Sequence, residues 1–451
     1  MSLKELNNIY FTGIGGNGMI PLALHCKTIG LNVRGSDMSE DRFTYLLENG
    51  ITPKLGHDGD IGNSDLLVYS AAVKDDNPDL IAAKEMGIPT MKRAQFLGEF
   101  TKNSFSIVVA GSHGKSTTSV MLSDLLNLSG FSSITGACSS SQNSYYYRGS
   151  YDKLIVEGDE YDRSFLNFHP NNLIVLNIDN DHMDIYGNIE NLKNSFLSLI
   201  DKLPEDGILF YNLDDEGIVS IVDRVKSRKI GFSLKNLGNN RMVNCKQLED
   251  GVSFDLVIDG NLYRKFKAFT FGKYNYSNLL AAIVCSYYNG LSIDEIRERL
   301  LLYKGLKRRF ELVLDGVYRF IDDYAHHPTE IVSLLDNFKD RKGDLVVVFQ
   351  PHLYSRTREH YGEFAKSFKN CDKIFLAPIY GAREVSDGTK SSIIYDAMES
   401  DIKKKCIVFN SLDSIKEKLK DILKPGDTLL TVGAGVAFKV AEDLKEDLSK
   451  V

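Results

Sequence analysis

The sequence predicts an α/β protein of three domains: a Rossmann-like N-terminal domain, a central domain of P-loop ATPase type and a C-terminal Rossmann-like α/β domain. Three observations predict it. Short apolar runs alternate with amphipathic helical patterns almost from end to end, as in parallel sheets covered by helices on both faces. Two glycine clusters each follow an apolar run and open a helical pattern. The chain has 451 residues, a length that suits about three domains.

Taken in order, IYFTG (9–13) reads as a buried strand and continues into GIGGNG (13–18). Gly13, Gly15 and Gly18 fit G-x-G-x-x-G, a helical pattern follows, and Asp37 closes the next strand, NVRGSD (32–37). Without side chains in the turn, a pyrophosphate can approach backbone N–H groups at a helix N-terminus. The motif predicts a dinucleotide or a nucleotide diphosphate and does not choose between them. LLVYS (66–70) is a further strand, and MKRAQFLGEFTKNS (91–104) separates this series from the next. The first domain is expected at 1–98.

SIVVA (106–110) runs into GSHGKSTT (111–118) and a helix over 117–129. This resembles a P-loop, with Val109 where the full pattern has its first glycine. Backbone N–H groups and the helix dipole attract phosphate oxygens, Lys115 can reach the β- and γ-phosphates, and the Ser116 hydroxyl can hold Mg²⁺. LIVEG (154–158) leads into Glu157, Asp159, Glu160 and Asp162, a carboxylate cluster at a strand end that suits a Mg²⁺ shell. LIVLN (173–177) leads into DNDHMD (179–184), where His182 stands beside Asp181 and Asp184. A helix follows over 191–203. The stretch 227–270 reads as meandering β structure with turns at 238–240, 250–251 and 259–260. The basic segment YKGLKRRFEL (303–312) marks the second junction, so the central domain is expected at 99–307 and the last at 308–451.

In the C-terminal third, strand 317–323 ends in DDYAHHP (322–328). Pro328 suits a first helical turn, so Asp322, Asp323, Tyr324, His326 and His327 are presented at a strand end, before a helix over 328–338. LVVVF (345–349) passes into FQPHLYSRTR (349–358) and a helix over 357–369. Arg356 and Arg358 there suit phosphate or carboxylate. KIFLA (373–377), a helix over 411–423 and TLLTV (428–432) complete the series.

Composition excludes several classes. Lys+Arg is 54 against Asp+Glu 61, a net charge of −7, so the basic surplus of a nucleic-acid binder is absent. No apolar run has the ~18 residues of a spanning helix, so no membrane insertion is expected. The six cysteines (26, 138, 245, 285, 371 and 406) form no C-x-x-C pair, which leaves no zinc ribbon or dithiol motif and suits a reducing cytosol. A cytoplasmic enzyme, monomer or homodimer, is expected.

The motifs together resemble the Mur ligase family over nearly the whole chain and in the same order: GIGGNGM (13–19), SAAVKDDNP (70–78), GSHGKSTT (111–118), EGDEYD (157–162), NIDNDHMDIYG (177–187), RRFE (308–311), DDYAHHPTEI (322–331) and FQPHLYSRTR (349–358). The resemblance implies a UDP-binding domain, an ATP-binding domain and a third that closes on ATP and the amino-acid substrate. Substrates UDP-N-acetylmuramate, ATP and L-alanine, with Mg²⁺, follow from it. It implies UDP-substrate contacts at Gly13, Gly15, Gly16, Asn17, Gly18, Met19, Asp37, Ser70 and Tyr324. It implies ATP contacts at Gly111, Ser112, His113, Gly114, Lys115, Ser116, Thr117, Asn275, Asn278, Arg309 and Asp323, with Arg308 nearby. Metal ligands would be Ser116, Glu157 and His182, and the catalytic groups Lys115, His182, His326, Arg356 and Arg358. FQPHLYSRTR, NIDNDHMDIYG and IYGARE (379–384) favour the member that adds L-alanine. EGDEYD, with Tyr161, also resembles the member that reattaches a recycled tripeptide to UDP-N-acetylmuramate. A nucleotide-binding regulator that has lost catalysis is the alternative from another class, against which Lys115, Ser116, Glu157 and His182 stand. Tyr274 occupies a position where the family commonly has His, and GAGVAF (433–438) departs from the commoner GAGDI.

Overall fold

The strand and helix signals fold into four sheets in the computed structural model, which describes residues 3–180, 183–248, 250–339, 341, 343–382 and 384–448. The chain forms two compact units, residues 1–304 and 305–451. Among the described residues no helix is long and apolar enough to cross a membrane.

The first unit begins with a five-stranded parallel sheet in the order Pro53–Leu55, Asn32–Asp37, Asn8–Thr12, Leu66–Tyr69, Thr90–Lys92. The chain starts in the middle, winds outward on one side and returns to fill the other. The first strand therefore lies at the switch point, where a crevice opens beyond the strand ends. Ile9, Tyr10 and Phe11 are all buried, as a central parallel strand requires.

A seven-stranded sheet follows, in the order Arg228–Phe232, Ile208–Asn212, Asn172–Val175, Phe105–Ala110, Ser150–Gly158, Phe131–Ser139, Ser144–Tyr147. Only the last pair is antiparallel. Ala110 is in register with Gly158 on one side and Val175 on the other. The three strands thus end level, and the loop 111–114, the turn after Glu157 and the loop after Val175 share one edge. The helix expected over 117–129 runs over Lys115–Leu126, followed by a 3₁₀ turn at Asn127–Ser129. It starts earlier than its apolar pattern because the left-handed Gly114 lets the helix open directly from the loop.

The stretch 227–270 divides. Arg228–Phe232 is a parallel edge strand of the large sheet, while Arg241–Leu248, Gly251–Ile258 and Asn261–Ala268 form a separate antiparallel sheet. Asp259 and Gly260 both have positive φ, 49° and 79°, as the two-residue Asp-Gly hairpin turn demands.

The two large sheets of this unit share one core, in which Phe11, Phe96 and Phe100 continue into Val108, Ile134 and Tyr146. His25 is buried at this junction, edge-on to Phe100 (4.8 Å) and Tyr146 (5.6 Å), with Nδ1 3.1 Å from Tyr146 Oη. At the far end of helix Lys115–Leu126, Asp124 accepts hydrogen bonds from Tyr147 Oη (2.8 Å) and Ser141 Oγ (3.2 Å). Burial pushes its carboxyl up to about 6, against the pull of those two donors. The folded chain therefore keeps a proton here that the unfolded chain loses near pH 4, and this stabilisation disappears as pH rises to about 6. Asp124→Asn keeps the shape without the titration. Between pH 4 and 7 its unfolding free energy is expected to gain about 3 kcal/mol on the wild type. Parallel pH profiles in urea denaturation would contradict this.

The second unit holds a six-stranded sheet in the order Glu311–Asp315, Arg319–Asp323, Thr428–Val432, Leu345–Phe349, Lys373–Leu376, Cys406–Val408. The first pair is antiparallel and the rest parallel. The last strand in sequence inserts between Arg319–Asp323 and Leu345–Phe349. This brings the segments DDYAHHP, FQPH and GAGVAF to one edge. The helices of the sequence pattern lie at Pro328–Leu335, Tyr354–Ser367 and Leu412–Ile422.

Candidate active site

The first glycine loop sits at the switch point of the five-stranded sheet. Gly13 N and Ile14 N both donate to Ser36 O, at 2.8 and 3.0 Å. Asp37 Oδ2 accepts from Gly15 N at 2.8 Å, so this carboxylate fixes the loop. Gly16 and Asn17 are exposed, Met19 is buried as the first residue of helix Met19–Thr28, and Gly18 caps that helix without a side-chain bond. Met19 N and Ile20 N both donate to Gly16 O, at 2.9 and 3.0 Å, which folds the loop onto the start of the helix. Ser70, at the end of the neighbouring strand, approaches Gly13. Sequence reasoning missed Arg93, whose guanidinium lies 3.2 Å from where a side chain at Gly18 would begin. It falls in the segment taken as a junction, and only its place at the C-terminal edge of the sheet brings it to the loop.

The second glycine loop is closed by its own side chains. Lys115 Nζ donates to Gly111 O (2.7 Å), Ser112 O (3.2 Å) and Glu160 Oε2 (2.7 Å). Burial works against the Lys115 ammonium, but Glu160, Asp159 and Glu157 outweigh it and hold its pKa above the ordinary lysine range. Ser116 Oγ donates to Glu157 Oε1 at 2.6 Å, and Glu157 Oε2 accepts from Gly136 N at 2.8 Å. Asn177, another residue not singled out from sequence, clasps the loop: it accepts from His113 N (2.7 Å) and donates to His113 O (3.0 Å). Ser112 Oγ accepts from Asp179 N at 3.0 Å, while His113 is exposed and Thr117 half-buried.

Asn278 and Asn275 complete this loop from the start of helix Lys273–Tyr288. Both are buried; Asn278 donates to Asn275 Oδ1 (3.1 Å) and Asn275 to Phe271 O (2.9 Å). Gly114 has φ +85°, and any Cβ there would overlap the Asn278 side-chain oxygen. A glycine is required on both counts. His182, the third candidate ligand, lies outside the described residues, and the side chains of Lys273 and Tyr274 are likewise not described. Among the described residues no three His, Cys, Asp or Glu side chains converge as a metal-holding group. Ser116 Oγ and Glu157 Oε1 are nonetheless hard oxygen donors side by side, the donor type that suits Mg²⁺.

In the second unit, Arg309, Tyr324, His326 and Arg356 gather at one edge. The Arg309 guanidinium lies 5.2 Å from the Tyr324 ring centre, Tyr324 and His326 rings are 5.4 Å apart, and Arg356 Nη1 is 3.5 Å from Nδ1 of His352, whose ring meets that of His326 edge-on at 6.1 Å. His326 Nδ1 lies 2.9 Å from Tyr324 O. A carbonyl only accepts, so Nδ1 carries the proton and Nε2 is left as a base. Burial is the main cause lowering its pKa, against the carboxylate of Glu330, and the imidazole is neutral at physiological pH.

Asp323 is spent on backbone: its oxygens accept from Phe310 N (2.7 Å) and Ala325 N (2.8 Å). Arg308 is a clamp, donating to Asp322 Oδ2 (3.1 Å), Gly435 O (2.8 Å) and Gly433 O (2.6 Å). This shows how the GAGVAF loop is held. Gln350, not singled out from sequence, adds to it by accepting from Val436 N at 2.7 Å. Arg358 does not join the cluster; it is exposed and pairs with Asp387.

Three family models match the chain in succession: "Mur ligase family, catalytic domain" over residues 8–105, "Mur ligase middle domain" over 109–286 and "Mur ligase, glutamate ligase domain" over 308–435. The chain is 37% identical to the UDP-N-acetylmuramate–L-alanine ligase of Acetivibrio thermocellus, across 99% of this chain and 97% of that protein. It belongs to the Mur ligase family. Similarity to the enzyme of the same name from Clostridium acetobutylicum is 37% over 96% of each chain. The crystal structure of UDP-N-acetylmuramate–alanine ligase from Thermotoga maritima superposes with a TM-score of 0.85, at 26% identity, covering 98% of this chain and 99% of that one. Mur ligases are ATP-dependent ligases, which accounts for the triphosphate-type loop over residues 111–118.

Proposed function

We propose that this Mur ligase joins L-alanine to the carboxylate of UDP-N-acetylmuramate, consuming ATP through an acyl phosphate, in the synthesis of a peptidoglycan precursor. The observation that carries it is full-length similarity to enzymes of that one activity. The intact Lys115, Ser116 and Glu157 cluster agrees with it.

A carboxylate is a poor acyl donor because its leaving group is oxide. Attack of a substrate carboxylate oxygen on the γ-phosphorus of ATP breaks the bond to ADP and forms the mixed anhydride. The neutral amine of L-alanine then attacks the acyl carbon, the C–O bond to phosphate breaks, and phosphate leaves. Lys115 offsets charge on the transferring phosphoryl group. Mg²⁺, held by Ser116, Glu157 and His182, supplies further offset of triphosphate charge when bound. The backbone of Gly13–Gly18, with Arg93 beside it, takes the UDP diphosphate, and Ser70 lines the crevice. Asn275 and Asn278 take the adenine. His326, neutral with Nε2 open, accepts the proton that the alanine ammonium must lose, and Arg309 and Arg356 bind the anionic groups. Residues 1–98 serve the UDP substrate, 99–307 serve ATP, and 308–451 serve the amino acid.

The test is phosphate release from ATP with Mg²⁺ and UDP-N-acetylmuramate, comparing L-alanine with L-Ala-γ-D-Glu-diamino acid tripeptide. Release that depends on L-alanine is expected. Release only with the tripeptide would overturn the substrate assignment and leave the family untouched.

A further inference from the structure

We propose that Asp79 is a positioning residue for the first glycine loop: a buried carboxylate that ties together the ends of the two strands from which that loop is hung. The proposal rests on the assignment of residues 13–18 to the UDP diphosphate and adds to it a fully buried residue, out of reach of substrate.

The geometry starts at Ser36, which is bonded in two directions. Its carbonyl accepts from Gly13 N and Ile14 N, at 2.8 and 3.0 Å, and so holds the loop where it leaves the first strand. Its hydroxyl donates to Asp79 Oδ2 at 2.6 Å. Thr12, the cross-strand neighbour of Ser36, is the last residue before the loop, and its hydroxyl donates to the same oxygen at 3.1 Å. Asp79 Oδ1 accepts from Gly59 N at 3.1 Å. His57 Nδ1 lies 2.7 Å from Ser36 Oγ and 3.2 Å from Asp79 Oδ2. The single hydroxyl proton of Ser36 is given to Asp79, so Ser36 Oγ accepts from His57 and Nδ1 carries the imidazole proton. Asp79 is fixed in its turn, since its own N–H donates to Asn77 Oδ1 (2.9 Å), the N-cap of helix Pro78–Glu85. Asp79, Ser36 and Thr12 are all 0% exposed. Apolar groups of the same shape could fill such a place at nearly equal stability, and Tyr10, Leu67 and Ala83 already pack on this face of the sheet. What the carboxylate adds is direction. It sets the Ser36 side chain and the separation of the two strand ends, so the loop stands in place before the diphosphate arrives. Without it the ligand must order the loop, at a cost in affinity. Once the ligand is bound that cost is met, so the rate at saturation is spared. Asp37 still holds Gly15, which keeps the loss partial. The triphosphate loop stands on the seven-stranded sheet and does not share this anchor.

The experiment is steady-state kinetics of the full chain carrying Asp79→Ala, with hydrogen-exchange mass spectrometry of peptides covering residues 13–18 and 111–118. Alanine removes every acceptor of the cluster and suits the first turn of a helix. The expected result is a KM for UDP-N-acetylmuramate raised about five-fold or more, with kcat and the KM for ATP within about two-fold of wild type. Exchange over residues 13–18 is expected to quicken by a similar factor, and exchange over 111–118 to stay as it is. Ser36→Ala cuts the link between Asp79 and the loop and keeps the carbonyl that holds Gly13 and Ile14. It is expected to show the same pattern at about two- to three-fold, and the double variant to be no worse than Asp79→Ala alone, because the two residues act through one bond. Ser36→Ala carries the test by itself should Asp79→Ala fail to fold. Unchanged exchange over residues 13–18 would overturn the proposal. So would equal losses on the UDP and ATP sides, the pattern of a general structural defect. If the wild type does not bind UDP-N-acetylmuramate, the UDP reading fails separately, and the exchange of residues 13–18 still decides whether Asp79 holds the loop.

Discussion

Lys115→Ala is expected to reduce turnover by at least roughly 10²–10³-fold, the loss seen when one charge-stabilising donor is removed from a transition state, while UDP-N-acetylmuramate still binds. The two sites stand on different sheets of the first unit, so losing the lysine leaves the glycine loop over residues 13–18 untouched. The variant also removes the ammonium that donates to the buried Glu160 carboxylate. Breaking one half of a buried pair costs about 3–5 kcal/mol, so stability falls together with rate. The double variant Lys115→Met/Glu160→Gln separates the two, since it removes both charges together. It is expected to recover stability and not turnover. Calorimetric titration with the UDP substrate, urea denaturation and phosphate release read the three quantities. Turnover near wild type in either variant would sink the assignment of this loop to ATP.

Gly114→Ala is the second large effect. The residue sits at φ +85°, where a Cβ costs about 1–2 kcal/mol. The added methyl also overlaps the Asn278 side chain, which rests on Asn275. One substitution thus disturbs the phosphate loop and the asparagine pair together. ADP affinity is expected to fall more than ten-fold, with UDP-substrate affinity unchanged. Adding Asn278→Ala relieves the overlap and leaves the backbone strain, so only part of the stability returns. An ADP affinity equal to wild type in Gly114→Ala would show that the loop does not hold the nucleotide.

Much of this architecture is legible in the sequence, for a physical reason. Parallel strands buried on both faces must be continuous apolar runs, and Val108, Ile155, Leu173, Val347 and Leu430 lie in such runs. The hairpin Phe131–Ser139 with Ser144–Tyr147 is not legible. Its buried positions include Ser132, Ser133 and Ser139, and Ser132 Oγ meets backbone, donating to Ser150 O and accepting from Gly149 N. A buried run of small polar residues carries no hydrophobic signal. The common core of the first two sheets is likewise set by contacts distant in sequence, such as His25 with Tyr146.

The candidate site divides along the same line. Lys115, Ser116 and the glycines around them form a local motif, readable because strand, turn and helix are consecutive. Glu160, Asn177 and Arg93 gain their significance only from where other segments of chain arrive. Arg358 shows the converse: its motif suggests a role beside Arg356, while the fold pairs it with Asp387.

The most direct test of the central claim is the same ligation run with UDP-N-acetylmuramate carrying ¹⁸O in both carboxylate oxygens, together with ATP, Mg²⁺ and L-alanine. An acyl phosphate requires one carboxylate oxygen to leave with the phosphate. Mass spectrometry is expected to find one ¹⁸O in each phosphate released and one retained in the new amide. Phosphate free of ¹⁸O, with alanine nonetheless joined, would contradict the acyl-phosphate account.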